Sequence, residues 1–213
     1  MLFRSVELSH KYPWIYQAAA IPPQDIDACS FSDFSSALKE VHKNFPLHAI
    51  GETGLDFVPT SPPIEKQIEA LRLHCALAEE LNLPLIFHCR NSFLALLECF
   101  DLYKIQQRCL VHCFTGTIEE AKECTQRGWL VSASGIVTFK KSTLLREVFS
   151  QIPLDSIVIE TDAPYLTPES RRGKVNEPSY IRETALCMAT CKNISVETVA
   201  ATTSANMQKF LFG

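Results

Sequence analysis

The sequence predicts an α/β fold built on a parallel sheet, of the TIM-barrel-like (β/α) class, and three observations carry that expectation. Short apolar runs near residues 16, 48, 86, 110, 130 and 158 alternate with longer stretches of helical period. The runs have no polar face, as expected of strands covered by helices on both sides. Several of them stop at a residue with distinctive chemistry, and the C-terminal strand ends are where such folds carry their active sites. A closed barrel needs eight strands and typically about 250 residues. With 213 residues and six strands, this chain falls about two βα units short, and we expect one domain over residues 1–213.

Taken in order, residues 1–12 read as the tail of a helix, with Leu2, Val6 and Leu8 on a weak apolar face. Trp14 to Ile21 is apolar and strand-like and closes at Pro22-Pro23. Phe34, Ala37, Leu38, Val41 and Phe45 recur at helical spacing within Phe31 to Phe45, with Ser32 as a candidate cap. Leu47 to Ile50 is a buried strand that stops at Gly51, which places Glu52 at its end and a tight turn beyond. Pro62-Pro63 opens a helix from Ile64 to Leu81, with Ile68, Leu71, His74, Cys75, Ala78 and Leu81 on its buried side and Asn82 at its end. Strand Leu85–Phe87 and a helix from about Ser92 to Phe100 follow. Strand Cys109–Val111 precedes a helix from Thr117 to Arg127, stopped by Gly128. Trp129–Val131 is a strand, Ser142 to Phe149 a helix, and Ile157–Ile159 the last strand. Glu177 to Leu211 is expected to be helical throughout.

Composition narrows the function classes. Hydrophobic residues make up 46% of the chain and charged residues 21%, ordinary values for a soluble globular protein. No apolar run approaches the roughly 18 residues of a membrane span, and Met-Leu-Phe-Arg-Ser-Val-Glu-Leu is not a signal sequence. A cytoplasmic protein with no membrane partner is expected; no obligate protein partner is evident, and the oligomeric state stays open. The net charge of −4 argues against broad electrostatic binding of nucleic acid, yet a metal ion and a few arginines can hold a nucleic-acid substrate locally. The nine cysteines include no C-x-x-C pair, so free thiols in a reducing compartment are expected. Cys187 and Cys191 share one side of a helix and read as packing rather than as a zinc site.

Four apolar strands end in a potential metal ligand: Glu52, His88, His112 and, after Glu160-Thr161, Asp162. Taken singly, each histidine reads as a hydrogen-bonded core residue, and Asp162 before Ala163-Pro164 as the start of a turn. Recurrence at equivalent strand ends favours ligation. Arg90 suits either a phosphate contact or a structural ion pair. Lys140-Lys141 and Arg171-Arg172 suit solvated loops or substrate contacts. His10, His42, His48 and His74 have no such company.

The runs Ala-Ile-Gly-Glu-Thr-Gly-Leu-Asp-Phe at 49–57, Phe-His-Cys-Arg at 87–90, Val-His-Cys-Phe-Thr-Gly at 111–116 and Ile-Glu-Thr-Asp-Ala-Pro-Tyr-Leu at 159–166, in this order, resemble the TatD family of metal-dependent deoxyribonucleases. That family consists of TIM barrels in the amidohydrolase-like metallo-hydrolase superfamily. Asn176-Glu177-Pro178, after the basic loop Arg171-Arg172-Gly173-Lys174, and Thr203-Ser204-Ala205-Asn206 with Phe210 also fit, so the resemblance runs from about residue 16 onward. It implies a hydrolase that cleaves phosphodiester bonds of DNA by metal-activated water, with two divalent ions per intact site, Mg²⁺ first and Mn²⁺ or Zn²⁺ as alternatives. Glu52 would bridge the ions, His88 and His112 would complete the second, and Asp162 would bind the first and take a proton from the attacking water. Glu52 and Asp162 are thus the implied catalytic residues. Arg90, Arg171 and Arg172 would contact substrate phosphates, with Lys140, Lys141 and Lys174 nearby.

Two departures from the family pattern shape the alternatives. The family's first strand carries an H-x-H pair, and none occurs in these 213 residues. Where its third strand ends in G-x-H-P, this chain reads Ala20-Ile21-Pro22-Pro23. The absent pair and the two absent βα units are the same absence, so an N-terminally incomplete barrel is expected, with Met1 internal to a longer frame. One alternative is a related metallo-hydrolase acting on a small ester, amide or phosphotriester, though Glu52 replaces the carboxylated lysine common there. The other is a non-catalytic metal-binding remnant.

Overall fold

The computed structural model describes residues 2–28 and 30–213. Six strands form one parallel sheet in sequence order: β1 (Ala18–Ala19), β2 (Ala49–Asp56), β3 (Leu85–Arg90), β4 (Cys109–Val111), β5 (Leu130–Ala133) and β6 (Ile157–Ile159). Parallel neighbours cannot be joined by tight hairpins, and the sequence supplies crossover helices instead. α1 (Leu2–Lys11) precedes the sheet; α2 (Phe31–Asn44), α3 (Ile64–Leu81), α4 (Phe93–Tyr103), α5 (Ile118–Gln126) and α6 (Thr143–Gln151) lie between strands; α7 (Ile181–Lys192) and α8 (Val196–Phe212) follow β6. The α/β expectation therefore holds. Among the described residues no helix is long and apolar enough to cross a membrane.

The chain packs as two compact units, one running to Cys109 and including Phe212, the other Leu110–Leu211 with Gly213. In the first, Leu38, Ile50, Leu55, Leu71, Leu85 and Phe87 are almost fully buried. α3 presents Leu71, His74, Cys75 and Ala78 to that core, as its period predicts, and ends at Asn82 in the left-handed conformation that favours Asn or Gly. In the second, Val131, Phe149, Ile152, Ile157, Met188 and Val199 form the core. A capping box opens α5: Thr117 Oγ1 accepts from the Glu120 amide at 3.2 Å, and Glu120 Oε2 accepts from the Thr117 amide at 2.8 Å.

Several boundaries differ from expectation for physical reasons. β2 does not stop at Gly51 but runs to Asp56, and β3 continues to Arg90. The glycines are there for close approach. A Cβ on Gly51 would lie 2.5 Å from Ile86 Cβ, and one on Gly54, whose φ is +134°, would lie 2.0 Å from the His88 carbonyl oxygen. The first strand contracts to Ala18–Ala19, paired only with Ala49 and Ile50, and Trp14 is 70% exposed. Ser30 rather than Ser32 stands at the N-cap of α2. The C-terminal third breaks at Asn193, which is left-handed, and Ser195 caps the new helix by accepting from the Thr198 amide at 3.1 Å.

Candidate functional site

In the first unit β2 and β3 build a cluster around His88. Gly54 of β2 pairs with His88 of β3, and the carboxylates two residues to either side of that glycine reach the two ring nitrogens. Glu52 Oε1 lies 2.6 Å from Nδ1, and Asp56 Oδ2 lies 2.9 Å from Nε2. Asp56 is almost fully buried and is held from every side: Gln24 Nε2 donates to Oδ2 at 2.8 Å, and the Val58 amide donates to Oδ1 at 3.1 Å. Gln67 locks the backbone there, accepting from the Asp56 amide at 2.7 Å and donating to its carbonyl at 2.9 Å. Burial alone would raise the Asp56 carboxyl, but hydrogen bonds from His88, Gln24 and Val58 outweigh it and hold it below the usual range. Burial alone would lower His88; the Glu52 carboxylate, then Asp56, reverse that and raise it. Arg90, the last residue of β3, is exposed.

The second unit holds a matching cluster. His112 directly follows β4, and Glu160 directly follows β6. His112 Nδ1 donates to Glu160 Oε2 at 2.8 Å, and the Cys113 amide donates to Oε1 at 2.9 Å. The other ring nitrogen, Nε2, is 3.8 Å from Asp162 Oδ1. His112, Cys113 and Glu160 offer ligand atoms within 4.8 Å of one another. Asp162 sits at φ +56°, a conformation that costs an aspartate something and is fixed by its surroundings. Buried Asn176 does the fixing: its Nδ2 donates to the Thr161 carbonyl at 2.7 Å and the Tyr165 carbonyl at 2.5 Å, clamping the turn around Asp162.

The basic residues of this unit also converge. Lys140 Nζ is 3.9 Å and Arg172 Nε 4.0 Å from the Glu169 carboxylate. Arg172 lies over the Phe139 ring at 4.2 Å, and Arg171 over Tyr180 at 5.4 Å with Glu183 at 3.5 Å. Each arginine is oriented by a ring and a carboxylate while its side chain remains about half exposed.

Of the expected ligands, Glu52 and His88 stand inside β2 and β3, because those strands run on to Asp56 and Arg90, while His112 and Asp162 follow β4 and β6. Imidazole nitrogen and carboxylate oxygen form a donor set that fits a divalent ion. Sequence reading passed over Asp56 and Glu160. Both stand beside a named ligand in the same motif, and only the fold reveals that each grips a histidine ring, the usual second partner of a metal-binding histidine. Asn176 stood in a recognised motif without a role.

Comparison with known proteins completes the picture. The family described as TatD related DNase matches residues 2–212. Over 210 residues the chain is 37% identical to the uncharacterized metal-dependent hydrolase YabD of Bacillus subtilis, covering 97% of this chain and 81% of that protein. It is 36% identical over 215 residues to the 3′-5′ ssDNA/RNA exonuclease TatD of Citrobacter koseri, covering 97% and 81% respectively. The fold superposes with a TM-score of 0.91 on YjjV, a TatD homologue from Escherichia coli K12, at 24% identity, covering 98% of this chain and 81% of that one. The protein therefore belongs to the TatD-related DNase family, metal-dependent hydrolases on an α/β, TIM-barrel-like fold.

Proposed function

We propose that this protein is a divalent-metal-dependent nuclease that hydrolyses phosphodiester bonds of DNA, with Glu52, His88, His112 and Asp162 as metal ligands. One observation carries the reading. Each histidine has one ring nitrogen on a carboxylate outside the ligand set, Asp56 or Glu160, and the other turned toward a carboxylate within it, Glu52 or Asp162. Such an arrangement fixes the ring and its tautomer so that His88 presents Nδ1 and His112 presents Nε2. The name of the Citrobacter relative supports single-stranded nucleic acid as the substrate class.

Bound at these residues, two Mg²⁺ ions, or Mn²⁺ or Zn²⁺ in their place, would supply Lewis acidity and an acidified water. The protein's part is positioning and proton transfer. Glu52 and Asp162 contribute charged oxygens, and the Asp162 carboxylate accepts the proton released by the attacking water. Asp56 and Glu160 hold the imidazoles in place. Arg171 and Arg172 take backbone phosphates through their exposed N–H groups, and Arg90 contributes a third contact.

Glu52→Ala and His112→Ala variants of the full chain, assayed on a labelled single-stranded DNA with added Mg²⁺, test the assignment. The expected result is a loss of more than about a hundredfold in cleavage with native circular dichroism retained. Cleavage by both variants at the parental rate would remove the ligand assignment.

A further inference from the structure

The turn that begins at Asp162 ends in a ring. The Tyr165 amide donates to the Asp162 carbonyl at 2.8 Å, and a β-turn closed this way keeps its first and last Cα atoms within about 7 Å. The rest of the loop locks that turn. The Asn176 amide donates to the Pro164 carbonyl at 3.2 Å, Asn176 Nδ2 bonds the Thr161 and Tyr165 carbonyls, and Thr167 Oγ1 donates to the Lys174 carbonyl at 2.8 Å. Both backbone groups of Tyr165 are thus engaged, while the residue as a whole is 70% exposed. Val175, on the facing arm of the loop, is 74% exposed. Phe139 and Tyr180 already carry Arg172 and Arg171 on their rings. Among the described residues, no aromatic ring or cation covers Tyr165.

We propose that Tyr165 is the platform on which the site stacks an unpaired nucleobase, so that it selects single strands, DNA and RNA alike. The inference rests on the nuclease reading above and adds a contact to the base. A single exposed apolar residue carries little information. Here a large ring is fixed on a hydrogen-bonded loop, one turn from a proposed metal ligand, and that same loop carries Arg171, Arg172 and Lys174. Cations for the backbone together with an aromatic face for the bases are what single-stranded nucleic acid requires.

The two kinds of contact divide the work. Arginines on phosphates position a strand but carry no information about its bases. A ring face meets a base only where that base is free of its neighbours, and within a duplex each base face is covered by the next pair. Every base has a π-face, so the contact brings no sequence preference. Stacking does not touch the 2′-hydroxyl, the group by which RNA is told from DNA. Tyrosine has only two side-chain torsions to fix, and its loop is already ordered, so little entropy is lost on stacking.

Fluorescence anisotropy of the full-length protein, with a chelator present to prevent cleavage, compares a labelled single-stranded oligodeoxyadenylate with an abasic strand of equal length and charge. The parent should prefer the adenylate. Tyr165→Ala should bind it about tenfold or more weakly, Tyr165→Trp should restore binding, and the abasic strand should bind all three proteins alike. With metal restored, the KM of Tyr165→Ala for the adenylate should rise by the same factor, with kcat changed by less than about twofold. A parent that binds both strands equally overturns the platform. So does a Tyr165→Ala protein that holds the adenylate as the parent does, loses both strands together, or loses kcat at unchanged KM. The nuclease reading fails separately: base-dependent binding that needs Tyr165, in a parent that cuts neither strand with any restored ion, leaves the platform standing and removes the hydrolysis.

Discussion

His74 is fully buried, and its two ring nitrogens have fixed duties. The Ile21 amide can only donate, so Nε2 at 3.1 Å must accept, while Nδ1 donates to the Ala70 carbonyl at 2.8 Å. Burial, against a smaller opposing effect of the Ala70 bond, lowers its pKa from 6.5 to about 4. In the unfolded chain His74 takes up a proton below about pH 6.5 that the folded chain refuses until about pH 4, so stability falls with pH through that window, by about 3 kcal/mol in full. Urea unfolding of the parent and His74→Gln at pH 7.5 and 4.5 should show the parent losing roughly 2 kcal/mol more on acidification; equal losses would mean that His74 is not held neutral. Asn176→Ala removes two hydrogen bonds to backbone carbonyls and should cost about 2 kcal/mol, lowering the proposed nuclease turnover by freeing Asp162. Thermal unfolding and single-turnover cleavage would read both effects. At this scale the sequence offered candidate ligands but not their partners. Glu52 and Asp162 were singled out as strand-end carboxylates, although Glu52 lies within β2, whereas the grip of Asp56 and Glu160 on imidazoles 32 and 48 residues away is a property of the fold.

At the scale of elements, β2 and β3 decide how the first cluster is built. Gly54 combines φ +134° with a backbone oxygen 2.0 Å from where a Cβ would stand, so Gly54→Ala should destabilise by about 3 kcal/mol and displace the His88 end of β3. Gly128 has φ +73° but open space around it, and Gly128→Ala should cost only about 1 kcal/mol. Comparable melting temperatures for the two variants would refute the close-approach account of Gly54. The extents of α3 and β6 were readable because local chemistry sets them: Pro62-Pro63 before one helix, Asn82 after it, and an unbroken apolar triplet in the strand. The extension of β2 was not readable, since a glycine that opens a turn and one that lets two strands touch look alike until the partner strand is known. The break at Asn193 escaped for a similar reason: the stop and start signals sit within three residues of each other.

For the molecule as a whole, the alternation of apolar and helical-period segments was enough to predict six strands in a parallel α/β sheet, and the structure adds that they stand in sequence order. Composition could not say which bond is hydrolysed. That question rests on the strand-end residues and is settled by substrate. The most direct measurement strips the full-length protein of metal with a chelator and follows a 5′-labelled single-stranded DNA beside a small phosphotriester and an ester. Mg²⁺, Mn²⁺ and Zn²⁺ are then restored in turn. The account predicts no cleavage after stripping, recovery of DNA hydrolysis with at least one ion, and turnover of the small substrates lower by roughly a hundredfold or more. DNA cleavage untouched by chelation, or preferential hydrolysis of the small substrates, would contradict it.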